Sequence, residues 1–239
     1  MPEAPASGAD GPVAAPPHDC ALCPRLVGLR ERCRAAHPGW HASPVPSFGP
    51  LDASILIVGL APGLRGANRT GRPFTGDHAG VLLYETLSRH GLADGRYGAR
   101  VDDGFSLVET RVSNAVRCVP PDNRPTGAET ATCRRFLEAE LAAMRRLRVI
   151  LALGAIAHGA ILAALGLRKS AFAFAHGAMH PLPGQRTLAD SYHCSRLNTN
   201  TGRLSAEMFA SVIADVRATA GLNRVHAAAA TSDASSRGP

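Results

Sequence analysis

Four cysteines fall into two pairs: Cys20 and Cys23 form a C-x2-C unit followed by Pro24, and Cys118 and Cys133 are separated by 14 residues. Four thiolates drawn from two distant pairs suit a tetrahedral zinc or an iron–sulfur cluster, with buried unliganded thiols as the plain alternative. Zinc sites more often repeat the short spacing in both halves. The wide second pair therefore leans towards a cluster, although spacing alone leaves the metal open. Cys33 reads as a packed helix residue, and Cys194 belongs to a polar loop. A disulfide framework is not expected of an intracellular chain.

A second set of residues has no metal-like spacing but lies where strands should end. Gly59-Leu-Ala-Pro-Gly63 closes an apolar run, so its backbone N–H groups should face a ligand crevice. Alone this is a weak signal. The continuation, Asn68-Arg-Thr-Gly-Arg-Pro-Phe-Thr-Gly-Asp77, sets Phe74 among small residues, as a stacking platform for a planar base or as an ordinary core ring. Asp77 is either a working carboxylate or the N-cap of the helix that starts at His78. Asn114 ends another strand, where its amide offers a donor and an acceptor to a base edge. Residues 191–203, Ser-Tyr-His-Cys-Ser-Arg-Leu-Asn-Thr-Asn-Thr-Gly-Arg, form a polar, basic loop. His193 stands at its start, while Arg196, Leu197 and Arg203 suit phosphate contact and groove insertion.

The elements that must hold these residues alternate between strand and helix. Residues 54–59, 111–116, 148–153 and 185–192 read as strands, and 78–90, 127–146, 155–165 and 205–218 as helices. Thr126 with Glu129 makes a capping box for the 127–146 helix. This order predicts a three-layer α/β/α domain around a central, mostly parallel four-stranded sheet, with ligands at the carboxyl ends of the strands. Residues 1–18 and 223–239 read as disordered tails around one domain, 19–222.

Composition bounds the partners. The chain has 239 residues, 45% hydrophobic and 19% charged, with mean hydropathy −0.02, which suits a soluble globular protein. No apolar run approaches the roughly 18 residues of a membrane span, and no signal peptide is evident, so an intracellular, membrane-free protein is expected. Lys and Arg total 26 against 19 Asp and Glu, and Lys169 is the only lysine. Within 20–223 the balance is 24 bases to 15 acids. An arginine surplus favours a polyanionic partner, with genomic base composition as the alternative cause.

Taken together, four segments resemble the uracil-DNA glycosylase superfamily, in particular its iron–sulfur branches. They are Cys-Ala-Leu-Cys-Pro-Arg-Leu (20–26), Gly-Leu-Ala-Pro-Gly (59–63) with Gly-Arg-Pro-Phe-Thr-Gly-Asp (71–77), Asn-Ala-Val-Arg-Cys-Val-Pro-Pro-Asp-Asn-Arg-Pro (114–125), and the His193 loop. Type 4 members carry an acid where this chain has Leu60; that Leu, the Asn-Arg-Thr-Gly segment and the Thr-Gly-Arg-Leu ending at Leu204 resemble type 5. Cys194 departs from the His-Pro-Ser form common in relatives.

The resemblance implies that Cys20, Cys23, Cys118 and Cys133 hold a structural [4Fe–4S] cluster. It implies that Phe74 stacks on an extruded base, that amides near Leu60 and Ala61 bind its carbonyl oxygen, and that Asn114 (or Asn123) reads its edge. His193 would donate to the leaving base, and Asp77 would orient water or stabilise the sugar cation. The implied activity is monofunctional removal of uracil and other deaminated bases such as hypoxanthine in base excision repair, leaving an abasic site. The implied partner is DNA, for a monomer in the cytoplasm at the nucleoid. Two other readings are a non-catalytic DNA-binding module and a type 4-like enzyme restricted to uracil.

Overall fold

The computed structural model describes residues 15–222. The tail assignments fall mostly outside this range; of the residues within it, His18 pairs with Ser43 Oγ at 2.8 Å. Helix α1 (Pro24–Ala36) precedes strand β1 (Ile55–Gly59), the short α2 (Ala67–Thr70) and α3 (His78–Arg89). A two-stranded ribbon of β2 (Ala93–Asp94) and β3 (Ser106–Leu107) leads to β4 (Thr110–Asn114) and α4 (Gly127–Ala143). Then come β5 (Val149–Leu153), α5 (Ala155–Ala164), β6 (Met179–Leu182), β7 (Arg186–Ser191), α6 (Arg196–Asn200) and α7 (Ala206–Thr219).

The main sheet runs β4-β1-β5-β7-β6. Its first four strands are parallel, and β6 adds antiparallel to β7 as a fifth strand. The sequence predicts four strands because β6, Met-His-Pro-Leu, lacks apolar alternation. Its Pro181 is tolerated at a sheet edge, where a missing donor breaks no inner ladder. Strands β1 and β5 are buried along their whole length, as their Ile, Leu and Val runs require between two helical layers.

Alternate side chains feed two cores. Ile55, Ile57, Val149 and Leu151 pack with Leu83 and Leu87 of α3 and Phe209, Ile213 and Val216 of α7. Leu56, Val58, Ile150 and Ala152 pack with Leu137 and Leu141 of α4 and Ile161 and Leu162 of α5. Helix α4 opens with the capping box foreseen: Thr126 Oγ1 accepts from Glu129 N, and Glu129 Oε2 accepts from Thr126 N at 2.8 Å. This layering brings the carboxyl ends of β1, β4, β5 and β7 to one edge of the sheet.

Candidate active site and cysteine nest

A cleft of about 790 Å³ opens at that edge, lined among others by Leu60, Ala61, Phe74, Asp77, Asn114, Asn123, His193 and Arg196. It gathers side chains from three strand ends that sequence reading treats separately. Gly59 is the pivot: a Cβ there would stand 2.5 Å from both the Phe74 ring and Asn114 Oδ1. Only glycine lets the aromatic ring and the amide close over the end of β1.

Phe74 is 6% exposed, belongs to the main core and also lines the cleft, so the two readings of this ring are compatible. Its backbone has φ +52°, in the left-handed region. Neighbours hold it there. Tyr84 Oη donates to Pro73 O at 2.6 Å, and Tyr97 Oη donates to Phe74 O at 3.2 Å. A Cβ on Gly80 would collide with the same Phe74 carbonyl, so α3 approaches this segment as closely as a helix can. Arg72 anchors the turn from beneath, paired through both terminal nitrogens with Asp103 at 2.9 and 2.7 Å and ringed by Phe48, Tyr84, Tyr97 and Phe105.

Asp77 divides its carboxylate. Oδ1 accepts from Gly80 N at 3.1 Å and caps α3. Oδ2 lies over the loop after β1, 2.5 Å from where a Cβ on Gly66 would stand and 3.2 Å from one on Gly63. His193 sits across from Phe74, with ring centroids 5.9 Å apart and planes tilted by 31°. Burial holds its imidazole below the ordinary value, opposed by the negative charge of Asp77. Asn114, 3% exposed, buries its Oδ1 with no hydrogen-bond partner. Among the described residues, the N–H groups of Leu60 and Ala61 donate to no protein acceptor.

The loop carrying His193 is more structured than its polarity suggests. Residues 196–200 form α6, with Ser195 as N-cap. Asn198 Nδ2 donates to His193 O at 2.8 Å, and His78 Nε2 lies 2.9 Å from Thr199 Oγ1. Cys194 is fully buried in the main core, so the residue that departs from the relatives' form serves as a packing anchor. Arg196 borders the cleft and Leu197 is 72% exposed beside it. Arg203 lays its guanidinium over the Tyr192 ring, 4.4 Å from the centroid. Leu64, Arg65 and Ser195 also line the cleft; sequence reading missed them because a loop after a strand gives no periodicity to follow.

Cys20, Cys23, Cys118 and Cys133 line one small pocket between α1, α4 and the segment after β4. Arg30 Nη1 donates to Cys118 Sγ at 3.1 Å and Arg117 N donates to Cys133 Sγ at 3.4 Å. Such donors suit sulfur carrying negative charge. Without a ligand, burial pushes the Cys118 thiol up to about 11 and raises Cys133 as well. Cys33 lies apart, buried on α1. Among the described residues, only His158, His180 and Asp190 bring three ligand atoms within 4.8 Å of one another.

Residues 46–217 match the family model of the Uracil DNA glycosylase superfamily. The chain is 50% identical over 209 residues to a type-5 uracil-DNA glycosylase of Thermus thermophilus, covering 85% of this chain and 94% of that protein. It is 42% identical over 207 residues to a type-5 uracil-DNA glycosylase of Pyrobaculum aerophilum, covering 85% and 90%. A type-4 uracil-DNA glycosylase from the same archaeon is 37% identical over 125 residues, 52% of this chain and 56% of that protein.

Proposed function

The chain belongs to the uracil DNA glycosylase superfamily, and on that premise we propose that its cleft removes uracil and other deaminated bases from DNA by hydrolysing the N-glycosidic bond. The observation that carries the wider range is Asn114. Its buried, unpartnered Oδ1 is an acceptor that costs about 1–3 kcal/mol while unpaired. Deamination turns the ring nitrogen of cytosine or adenine from an acceptor into an N–H donor. Uracil and hypoxanthine therefore both offer Asn114 Oδ1 the proton that the parent bases lack. Asn123, lining the same cleft, is the second candidate for reading the base.

The remaining groups divide the bond cleavage. The target nucleotide leaves the stack, with Leu197 as the wedge that fills its place and Arg196 meeting phosphate. Its base slides against Phe74. As the glycosidic bond breaks, negative charge grows on the base oxygen and positive charge on the sugar. The free N–H groups of Leu60 and Ala61 and the N–H of a neutral His193 receive the first; Asp77 Oδ2 faces the second or orients the attacking water. Leu60 supplies no carboxylate, so Asp77, three residues on from the base platform, takes that duty.

The cysteine nest, with its wide Cys118/Cys133 spacing and two N–H donors aimed at sulfur, is read as the seat of a [4Fe–4S] cluster and not of zinc. Bound there, the cluster would staple α1 to α4 and to the segment that follows Asn114. Ala61 packs against this nest, which links the staple to the cleft wall. An anaerobically purified protein is expected to be brown, absorbing near 400 nm with about four irons per chain. Cys33→Ser should keep that metal and Cys118→Ser should lose it; stoichiometric zinc without iron would reject the assignment.

Base range is tested by measuring abasic-site formation on duplexes carrying uracil, hypoxanthine, cytosine or adenine at one position. Release of uracil and hypoxanthine, with the parent bases untouched, is expected. Release of uracil alone would return the chain to the narrow, type 4-like reading, and retention of every base would favour a non-catalytic DNA-binding module.

A further inference from the structure

Beside the cleft, the segment 172–180 runs up to the carboxyl-terminal part of β7, and one buried carboxylate ties both of its ends. Asp190 on β7 is fully buried; its Oδ1 pairs with His158 Nδ1 at 2.7 Å and its Oδ2 with His180 Nε2 at 3.2 Å. His158, equally buried on α5, reaches Phe172 O through Nε2 at 3.0 Å. Backbone bonds add to the hold: Gly177 N donates to Asp190 O at 2.9 Å, and Asp190 N donates to Ala178 O at 3.0 Å. No step of the base-release chemistry uses these residues.

Fixed at both ends, the strap presents His176 to the residue that precedes His193. Tyr192 N donates to His176 Nδ1 at 3.2 Å, with Ser191 Oγ 3.4 Å from the same nitrogen. The His176 and Tyr192 rings stack at 15°, with centroids 5.0 Å apart. Phe174 of the strap and Arg203 complete the surround of Tyr192, at 6.2 Å and 4.4 Å. An acceptor Nδ1 requires that this nitrogen carry no proton, and burial lowers His176 in the matching direction.

We propose that His176 is a positioning residue for His193: by accepting the Tyr192 N–H and stacking on its ring, it fixes the backbone from which His193 enters the cleft. The proposal rests on the reading of His193 as donor to the departing base. A departing anion is stabilised only by a donor already in place, so an error in Tyr192 backbone position is felt in the rate and not in ground-state binding.

Two variants separate the features of His176. His176→Phe keeps a flat ring and removes the acceptor; His176→Asn supplies Oδ1 where Nδ1 stood and removes the stack. Single-turnover uracil release, DNA affinity and thermal midpoint are measured for each, alone and combined with His193→Ala. His176→Phe is expected to slow release by roughly tenfold to a hundredfold, the scale of a displaced catalytic group, with affinity and midpoint nearly unchanged. His176→Asn should recover most of the rate. In the His193→Ala background His176→Phe should add nothing. A wild-type rate for His176→Phe, or a loss that persists in full without His193, would overturn the proposal. If His176→Phe lowers the midpoint, His176→Asn carries the test, and a slow but stable Asn variant contradicts it. His193→Ala releasing uracil at full speed would sink the reading of His193 itself, which is a separate failure.

Discussion

One carboxylate, Asp77, serves both the architecture and the cleft. Its Oδ1 holds the first turn of α3 through Gly80 N while Oδ2 faces the loop after β1. Asp77→Asn keeps an N-cap of similar strength, because the amide oxygen accepts from the same backbone donor. Thermal stability should therefore hold while single-turnover uracil release falls by roughly tenfold to a thousandfold, the range of positioned charge and proton-transfer groups. An unchanged rate would leave Asp77 as a cap alone. At this scale the sequence is informative about which residues meet: Leu60, Ala61, Phe74, Asp77, Asn114 and His193 come from four separate segments and line one cleft. What supports them is hidden. Nothing in the sequence ties Arg72 to Asp103, 31 residues on, which pairs with it among four aromatic rings. Nor does the sequence place the Arg203 guanidinium over the Tyr192 ring. Contacts of this kind have no period or spacing to betray them.

The elements that hold the cleft depend on buried charge as much as on apolar packing. Glu140 of α4 is 1% exposed and accepts from Arg111 Nε at 2.6 Å, Ser113 Oγ at 2.8 Å and Arg117 Nη2 at 2.5 Å. It thereby clamps α4 to β4 and to the segment running on to Cys118, and the two guanidinium groups hold its carboxyl below the ordinary range despite burial. Glu140→Ala would leave these charges without a counterion in a low-dielectric setting. A loss of about 3–5 kcal/mol is expected, read as a shift in the denaturation midpoint; a shift within experimental scatter would mean that water replaces the carboxylate at little cost. Element placement was legible wherever burial imposes a period: β1, β5, α3, α4, α5 and α7 lie within a few residues of their sequence bounds. Strand β6 and helix α6 were not. The first is an edge strand containing Pro181, and the second is a five-residue turn of Arg, Leu, Asn and Thr whose stability comes from the Ser195 cap and from tertiary contacts.

Across the whole molecule, chemistry concentrates at one edge of the sheet. Four parallel strands end there, and the cysteine nest backs onto the same wall through Ala61. The excess of 26 basic over 19 acidic residues gives the molecule a charge suited to a phosphate backbone. Lys169, the chain's only lysine, packs its side chain 3.6 Å from where a Cβ on Gly159 would stand and is not among the residues lining the cleft. No lysine amine therefore faces the sugar, and strand cleavage through a Schiff base is not expected. On the proposed function, this cleft breaks the glycosidic bond and does not merely hold DNA. Single-turnover incubation of excess holoprotein with a uracil-containing duplex, quantifying free uracil and intact strand together, tests it directly. Stoichiometric free uracil is expected, with an abasic strand that breaks only after alkali and a strongly slowed release with His193→Ala. Tight binding of the duplex with all uracil still attached to its sugar would contradict it.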